Sequence, residues 1–246
     1  MKKGMMISEI AFSNMPVLLK SSGLDFCILD CEHGGFDYAD AARMIMTAKL
    51  CGLEFIVRLP GNARKDIVKF MDMGANGLLL PMTNKRKDIE EVVRFAKYQP
   101  IGQRGISTMR AHTLYSPPSI VTYMTQANSQ TKVFAQIETR SGIENAEDIL
   151  AVPGVDGCFV GPNDLSADLG VLEKSAAAEI LTAIERIGAI AEKVGKASGI
   201  ITSNREYLQK SKKSAFTLFC IGSELNALAD YCRKIPKILG EALIEN

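Results

Sequence analysis

A (β/α)8 barrel of the TIM type is the fold that this sequence predicts, and three observations predict it. Short apolar or β-branched runs recur along the chain, and most lead into a stretch of helical periodicity, the alternation of a parallel α/β sheet. No proline- or serine-rich linker divides that alternation into halves, and 246 residues match the size of one such barrel, about 250 residues. An open doubly wound sheet, the competing arrangement, usually carries a glycine-rich phosphate loop after its first strand, and Ile10-Ala11-Phe12-Ser13-Asn14 is no such loop. Residues 1–246 are therefore expected to form one barrel domain.

The elements follow in order. The first strand is expected at 5–10. The second, at 26–30, opens on Phe26-Cys27-Ile28-Leu29, the composition of a buried strand, and Gly34-Gly35 then turn the chain toward a helix at 38–50. A strand at 55–58 precedes a helix at 65–73, and a strand at 77–80 precedes a helix at 87–97. The longest interruption, 98–132, carries Gly102-Gln103-Arg104-Gly105 and Pro117-Pro118, and is long enough to act as a functional loop. Strands at 133–137, 157–160, 197–201 and 216–221 complete the set, with helices at 142–150, 176–194, 205–212 and 224–243.

Composition excludes several classes of function. Twenty-nine Lys and Arg nearly cancel 28 Asp and Glu, which leaves no electrostatic case for nucleic acid or an anionic membrane. The first residues carry an early acid and no long apolar stretch, which argues against a signal peptide, and no run is long enough to span a bilayer. The six cysteines form no CxxC pair and mostly sit in apolar runs, as buried thiols do in a reducing compartment. A cytoplasmic protein is the expectation.

Residues just past each strand share the C-terminal face of a barrel, where the active site of this fold sits. There the second strand delivers Asp30, Glu32 and His33, the third Arg58, the fourth Pro81, the fifth Glu138, and the sixth Gly161-Pro162-Asn163-Asp164. His33, one of only two histidines, stands beside carboxylates and could accept a proton near neutral pH; the bland alternative is a solvated acidic loop. Glu138 and Asp164 lie 26 residues apart, one βα unit, so they should project from adjacent strands. Two carboxylates without a supporting histidine or cysteine suit Mg2+ or Mn2+, and leave most of an octahedron for water and substrate. A 2-oxo acid can fill two of those places, which favours its enolate, while Arg58 offers a fixed positive fork to the developing oxyanion. An ion pair between Arg58 and Glu138 or Asp164 is the alternative.

These residues, in this order, resemble the HpcH/HpaI aldolase family of metal-dependent class II pyruvate aldolases. The likeness runs from about Gly4 to the C-terminal helix. It rests on Asp30-Cys31-Glu32-His33-Gly34, Val57-Arg58, Met73-Gly74-Ala75 with Leu80-Pro81-Met82, and Gly102-Gln103-Arg104-Gly105. Gln136-Ile137-Glu138-Thr139, Gly161-Pro162-Asn163-Asp164-Leu165-Ser166 and Gly222-Ser223-Glu224-Leu225 complete it. The resemblance implies a barrel like those of the phosphoenolpyruvate/pyruvate superfamily. Glu138 and Asp164 then match the metal ligands, for Mg2+ or Mn2+ with Co2+ as a further option. His33 matches the proton acceptor, working through a water on the metal, and Arg58 the enolate stabiliser that Asp30 helps to position. Gln136, Gly161 and the Asn163-Asp164 segment match the residues that hold the 2-oxo acid, and Asp72 the carboxylate that raises the histidine's basicity. The family likeness also implies a homo-oligomer, a hexamer, with room for exchange of the C-terminal helix between subunits.

Asp72 conflicts with simple geometry. It closes the helix at 65–73, and barrel helices run back toward the N-terminal face, so it should reach His33 only from a neighbouring chain; an ordinary helix-end carboxylate is the alternative. No strand ends in a lysine, so a Schiff-base route is unsupported. Asn84-Lys85-Arg86-Lys87 reads as surface, and so does His112, in the long loop beside Arg110 and Tyr115, with contact to an aldehyde partner as its alternative; Met44, Met46, Met71 and Met73 read as packing, and Gly222-Ser223 as the opening of the last helix, where an anion could sit. Two segments depart from the family pattern: a short connection at 171–175, and Lys210-Ser211-Lys212-Lys213-Ser214-Ala215 in place of a glycine-containing turn. The expected activity is reversible, metal-dependent cleavage of a 4-hydroxy-2-oxo acid to pyruvate and an aldehyde. The alternatives are a decarboxylating or acyl-CoA lyase using similar enolate stabilisation, and a non-catalytic 2-oxo-acid-binding protein.

Overall fold

Successive strand residues face opposite sides of a sheet, and this alternation creates two cores in the molecule. The computed structural model describes residues 1–172, 174 and 176–244. Its strands are β1 Lys2–Ile7, β2 Phe26–Asp30, β3 Glu54–Arg58, β4 Gly77–Leu80, β5 Lys132–Ile137, β6 Gly157–Val160, β7 Ala197–Ile201 and β8 Leu218–Ser223. All pair in parallel with the next in sequence, and β8 returns to β1, which closes a (β/α)8 barrel. The helices are α1 Met15–Ser21, α2 Tyr38–Cys51, α3 Arg64–Met73, α4 Arg86–Ala96, α5 Ile120–Gln130 and α6 Arg140–Glu144. They continue as α7 Ala146–Leu150, α8 Pro162–Asp168, α9 Ala178–Lys193, α10 Arg205–Lys213 and α11 Glu224–Ile244.

Inside the barrel Met6, Phe26, Ile28, Ile56, Leu79, Phe134 and Phe159 form one buried cluster. The large rings fit because glycines stand opposite: a Cβ on Gly4 would lie 2.5 Å from the Phe26 ring, and one on Gly199 2.6 Å from the Phe159 ring. Residues of the other parity, among them Cys27, Leu29, Val57 and Ala135, pack outward against helix residues such as Ile45, Ile67 and Ile184. Continuing the inward parity past the cluster leads from Met6 to Ser8, Ile28 to Asp30, Ile56 to Arg58, Phe134 to Gln136 and Glu138, and Phe159 to Gly161. The layer above the apolar plug is therefore polar.

Several boundaries differ from the sequence expectation, each for a local reason. β1 stops at Ile7 because the Glu224 carboxylate accepts the N–H groups of Ser8 (2.8 and 2.9 Å), Glu9 (2.7 Å) and Ile10 (3.0 Å), turning the chain out of the sheet. Gly222 and Ser223 end β8 rather than opening the last helix. The helix expected at 142–150 is split into α6 and α7 at Asn145, whose side chain donates to Asn84 O (2.9 Å) and Ser141 O (3.0 Å). The interruption at 98–132 is not loop throughout: it holds a 3-10 turn, Ala111–Thr113, and α5, which buries only Ala127 and Asn128 and so lacks an apolar stripe. The short helices α1 and α8 were likewise not expected. The expectation for 171–175 falls in part on Glu173 and Ser175, outside the described residues.

At the other departure, Ala215 adopts φ +61°, the left-handed conformation that a glycine takes without strain. Ala215→Gly is expected to stabilise the protein by about 1 kcal/mol, read as a higher Tm with unchanged activity.

Candidate active site

Asp30 and Arg58 are register partners across β2 and β3, and this places their side chains together at the barrel mouth. The pair is bidentate: Arg58 Nε donates to Asp30 Oδ1 at 3.0 Å and Nη2 to Oδ2 at 2.6 Å. Asp30 Oδ1 also accepts the N–H groups of Glu32 (3.1 Å) and His33 (3.2 Å), so one carboxylate fixes both the arginine and the loop carrying the histidine. Burial opposes the charge on Asp30, but Arg58 and those two N–H groups outweigh it and hold its carboxyl below the usual range. Arg58 Nη1 also approaches Glu32 Oε2 at 3.3 Å, and His33 Nε2 lies 3.8 Å from the same oxygen. Arg58 thus pairs with Asp30 and Glu32, not with Glu138 or Asp164 as the alternative sequence reading had it. The histidine ring itself is open to solvent.

On the opposite wall β5 delivers Gln136 and Glu138, the latter 1% exposed. Glu138 Oε1 accepts the N–H of Met82 at 2.6 Å, and its Oε2 accepts from Gln136 Nε2. Met82 holds φ +48°, an unusual backbone conformation for a methionine, while presenting that N–H. Gly161 lies so close that a Cβ there would sit 2.4 Å from Glu138 Oε2, so the glycine leaves room for the carboxylate. Burial pushes the Glu138 carboxyl up to about 7, and the neighbouring charges of Asp164 and Glu32 add to the effect against hydrogen bonds from Met82 and Gln136.

A carboxyl raised from 4.5 to about 7 contributes stability below pH 4.5 that is lost as the pH rises through 7, on the order of 3 kcal/mol. Metal-free protein is therefore expected to show a Tm that declines between pH 5 and 8. That slope flattens in Glu138→Gln, and added Mn2+ raises the Tm more at pH 8 than at pH 5.5, as scanning calorimetry would record.

Asp30, His33, Arg58, Gln136, Asn163 and Asp164 line one cavity of about 430 Å3 at the C-terminal mouth, and Gly161 lines it too. Asp164 enters from the first turn of α8. The donor set fits a hard divalent cation: two acids, and in Gln136 Oε1 a buried oxygen with no hydrogen-bond partner among the described residues. No three His, Cys, Asp or Glu side chains are clustered to grip an ion alone among the described residues, so water and substrate would complete the coordination sphere.

Asp72 stands apart from this cavity. It accepts from Arg104 Nη2 at 2.8 Å, with His112 Nε2 4.0 Å away, and its side chain is 28% exposed. His112 is not a surface residue. It is buried, with Nε2 2.9 Å from Ser107 O and Nδ1 2.5 Å from Tyr123 Oη, and burial followed by the charge of Arg104 lowers its pKa. Asn84 is half-buried and tied to Thr139 and Asn145, while Lys85, Arg86 and Lys87 are exposed as expected. Sequence reasoning missed most of the far wall of the cavity, Ser8, Thr202, Ser203 and Asn226, although it singles out Gly222-Ser223 as a place for an anion. The strand-end rule that found Arg58 also covers Thr202 and Ser203, which directly follow β7.

Comparison with known proteins agrees with this architecture. The HpcH/HpaI aldolase/citrate lyase family matches residues 6–230. The 5-keto-4-deoxy-D-glucarate aldolase of Klebsiella pneumoniae subsp. pneumoniae is 31% identical over 218 residues, 89% of this chain and 84% of that protein. The crystal structure of an HpcH/HpaI aldolase from Desulfitobacterium hafniense DCB-2 superimposes with a TM-score of 0.92 at 27% identity, covering 98% of this chain and 93% of the other. The citrate lyase β subunit of M. tuberculosis, solved with oxaloacetate and magnesium, shares the fold alone, with a TM-score of 0.55 at 16% identity over 91% of each chain.

Proposed function

Since the chain belongs to the HpcH/HpaI aldolase/citrate lyase family, we propose that its mouth cavity performs divalent-metal-dependent, reversible retro-aldol cleavage of a 4-hydroxy-2-oxo acid to pyruvate and an aldehyde. At the coarser level the chain is an aldolase-type carbon–carbon lyase. Glu138 carries the finer reading: a buried carboxylate, beside Asp164, on a mouth whose other wall is a held arginine.

Glu138, buried just behind the cavity lining, and Asp164, which lines it, would hold Mg2+ or Mn2+, with Gln136 and Asn163 orienting the 2-oxo acid beside them. When bound, the cation supplies Lewis-acid polarisation of the 2-oxo group. His33 takes the proton of the C4 hydroxyl, and its exposed ring can pass that proton to water. As the C3–C4 bond breaks, the Arg58 guanidinium, held rigid by Asp30 and Glu32, faces the enolate oxygen on which negative charge develops. Release of pyruvate from a synthetic 4-hydroxy-2-oxo acid, measured with and without EDTA, tests the reading. Turnover unaffected by EDTA, or binding without turnover in any divalent metal, would remove it.

The reading extends to assembly. α11 exposes Leu225, Leu228, Tyr231, Ile235, Ile238 and Leu239, a face suited to a second copy of the chain, so a homo-oligomer with exchange of this helix is proposed, a hexamer by family likeness. Asp72, partly exposed and pinned by Arg104 away from its own His33, then serves the His33 of a neighbouring copy. Six cysteines without a disulfide support a cytoplasmic setting, and no helix among the described residues is long and apolar enough to cross a membrane.

A further inference from the structure

The mouth cavity has a second half that the chemistry above leaves unused. It is built by Ser8 after β1, Thr202 and Ser203 after β7, Gly222 and Ser223 at the end of β8, and Asn226 on α11. All are uncharged. The hydroxyls of Ser8 and Ser203 make no hydrogen bond among the described residues. Asn226 uses its carbonyl oxygen to accept from the N–H of Ser223 at 3.0 Å and from its hydroxyl at 3.1 Å, which leaves its amide N–H groups for a ligand.

Charge in the cavity runs against a second anion. Among the described residues lining it, the permanently cationic side chain is Arg58, and it is already engaged by Asp30 and Glu32. The buried carboxylate of Glu224 lies behind Ser8, on whose N–H it is bonded. A carboxylate on the aldehyde half of the substrate would meet this wall without a counter-charge, whereas hydroxyl groups would find free partners.

We propose that the aldehyde handled by this lyase is short, uncharged and hydroxylated, and that Ser8, Ser203 and Asn226 bind its hydroxyl groups. The inference rests on the retro-aldol reading. In the synthetic direction the methyl carbon of pyruvate gives up a proton, and that C–H electron pair forms the new bond to the aldehyde carbon. The carbonyl π pair becomes an alkoxide that takes a proton, so no oxidant or reductant is needed.

Two measurements on the full-length protein separate the layers. Exchange of the pyruvate methyl protons with D2O, followed by NMR in the presence of Mn2+ or Mg2+ and no aldehyde, reports enolate formation alone. Addition of pyruvate to glycolaldehyde, glyceraldehyde and lactaldehyde is then compared with addition to glyoxylate and succinic semialdehyde. The expected result is exchange, with kcat/KM for the neutral hydroxyaldehydes at least about tenfold above that for the acidic ones. Ser203→Ala and Asn226→Leu, both at exposed positions, should bring that ratio toward one, and Ser203→Arg should shift it toward the acidic aldehydes. Exchange together with equal or better use of the acidic aldehydes, or a ratio indifferent to all three substitutions, would overturn the inference and leave the lyase reading standing. Absence of exchange with every divalent metal would overturn both.

Discussion

Replacing Arg58 with lysine is expected to lower kcat for aldol cleavage by roughly 100- to 1000-fold, although the charge is kept. The guanidinium spends Nε and Nη2 on Asp30 and Nη1 on Glu32, so its position is set by a planar fork that an ammonium cannot reproduce. Both members of the Asp30–Arg58 pair are buried, at 4% and 9% exposure, so the change also leaves a carboxylate poorly paired, and a stability loss of about 3 kcal/mol is expected. Asp30 gives the pH signature. Its carboxyl lies below the unfolded value of 3.8, so the pair's contribution is fully present above that pH and is lost as acid titrates the folded state. Acid unfolding curves of the wild type and Arg58→Lys should therefore converge at low pH. A variant with full activity and an unchanged Tm would show that the arginine is neither anchor nor catalyst.

Glu138→Gln is the second large effect: a fall in kcat of about 1000-fold or more, with Mn2+ affinity by titration calorimetry weakened beyond the 10- to 100-fold typical of a supporting residue. Glutamine matches the shape and can still accept from Met82, so the fold is retained. What disappears is the negative charge opposite Asp164. Unaltered metal affinity in this variant would move the cation elsewhere and remove Glu138 from its role.

The same two residues show how much the sequence reveals. β2, β4, β6 and β7 fall at the residues expected from their apolar composition, because buried parallel strands leave few other readings of such runs. Strand ends then locate the mouth, and Asp30, His33, Arg58, Gln136, Gly161, Asn163 and Asp164 do line one cavity. What stayed hidden depends on long-range partners. Nothing near Ser8 in sequence says that a carboxylate 216 residues away ends the first strand there. Arg104 and Tyr123 surround His112 only once the 3-10 turn has packed against α3 and α5 against that turn, so a histidine in a polar stretch reads as surface although it is buried. Helices α1, α5 and α8 escaped notice because each is short or buries few side chains, which leaves no periodic stripe to detect.

The clasp between Glu224 and residues 8–10 joins the last helix to the rim of the mouth by a single side chain. It works as a hinge pin: α11 is fastened at its first residue while its apolar flank stays bare along the shaft. Any swing of that shaft that carried Glu224 along would tug Ser8, and with it one lip of the reaction chamber. A second copy docked on that flank, as proposed above, would therefore act on chamber width through Glu224, although among the described residues none of the shaft beyond Asn226 lines the chamber.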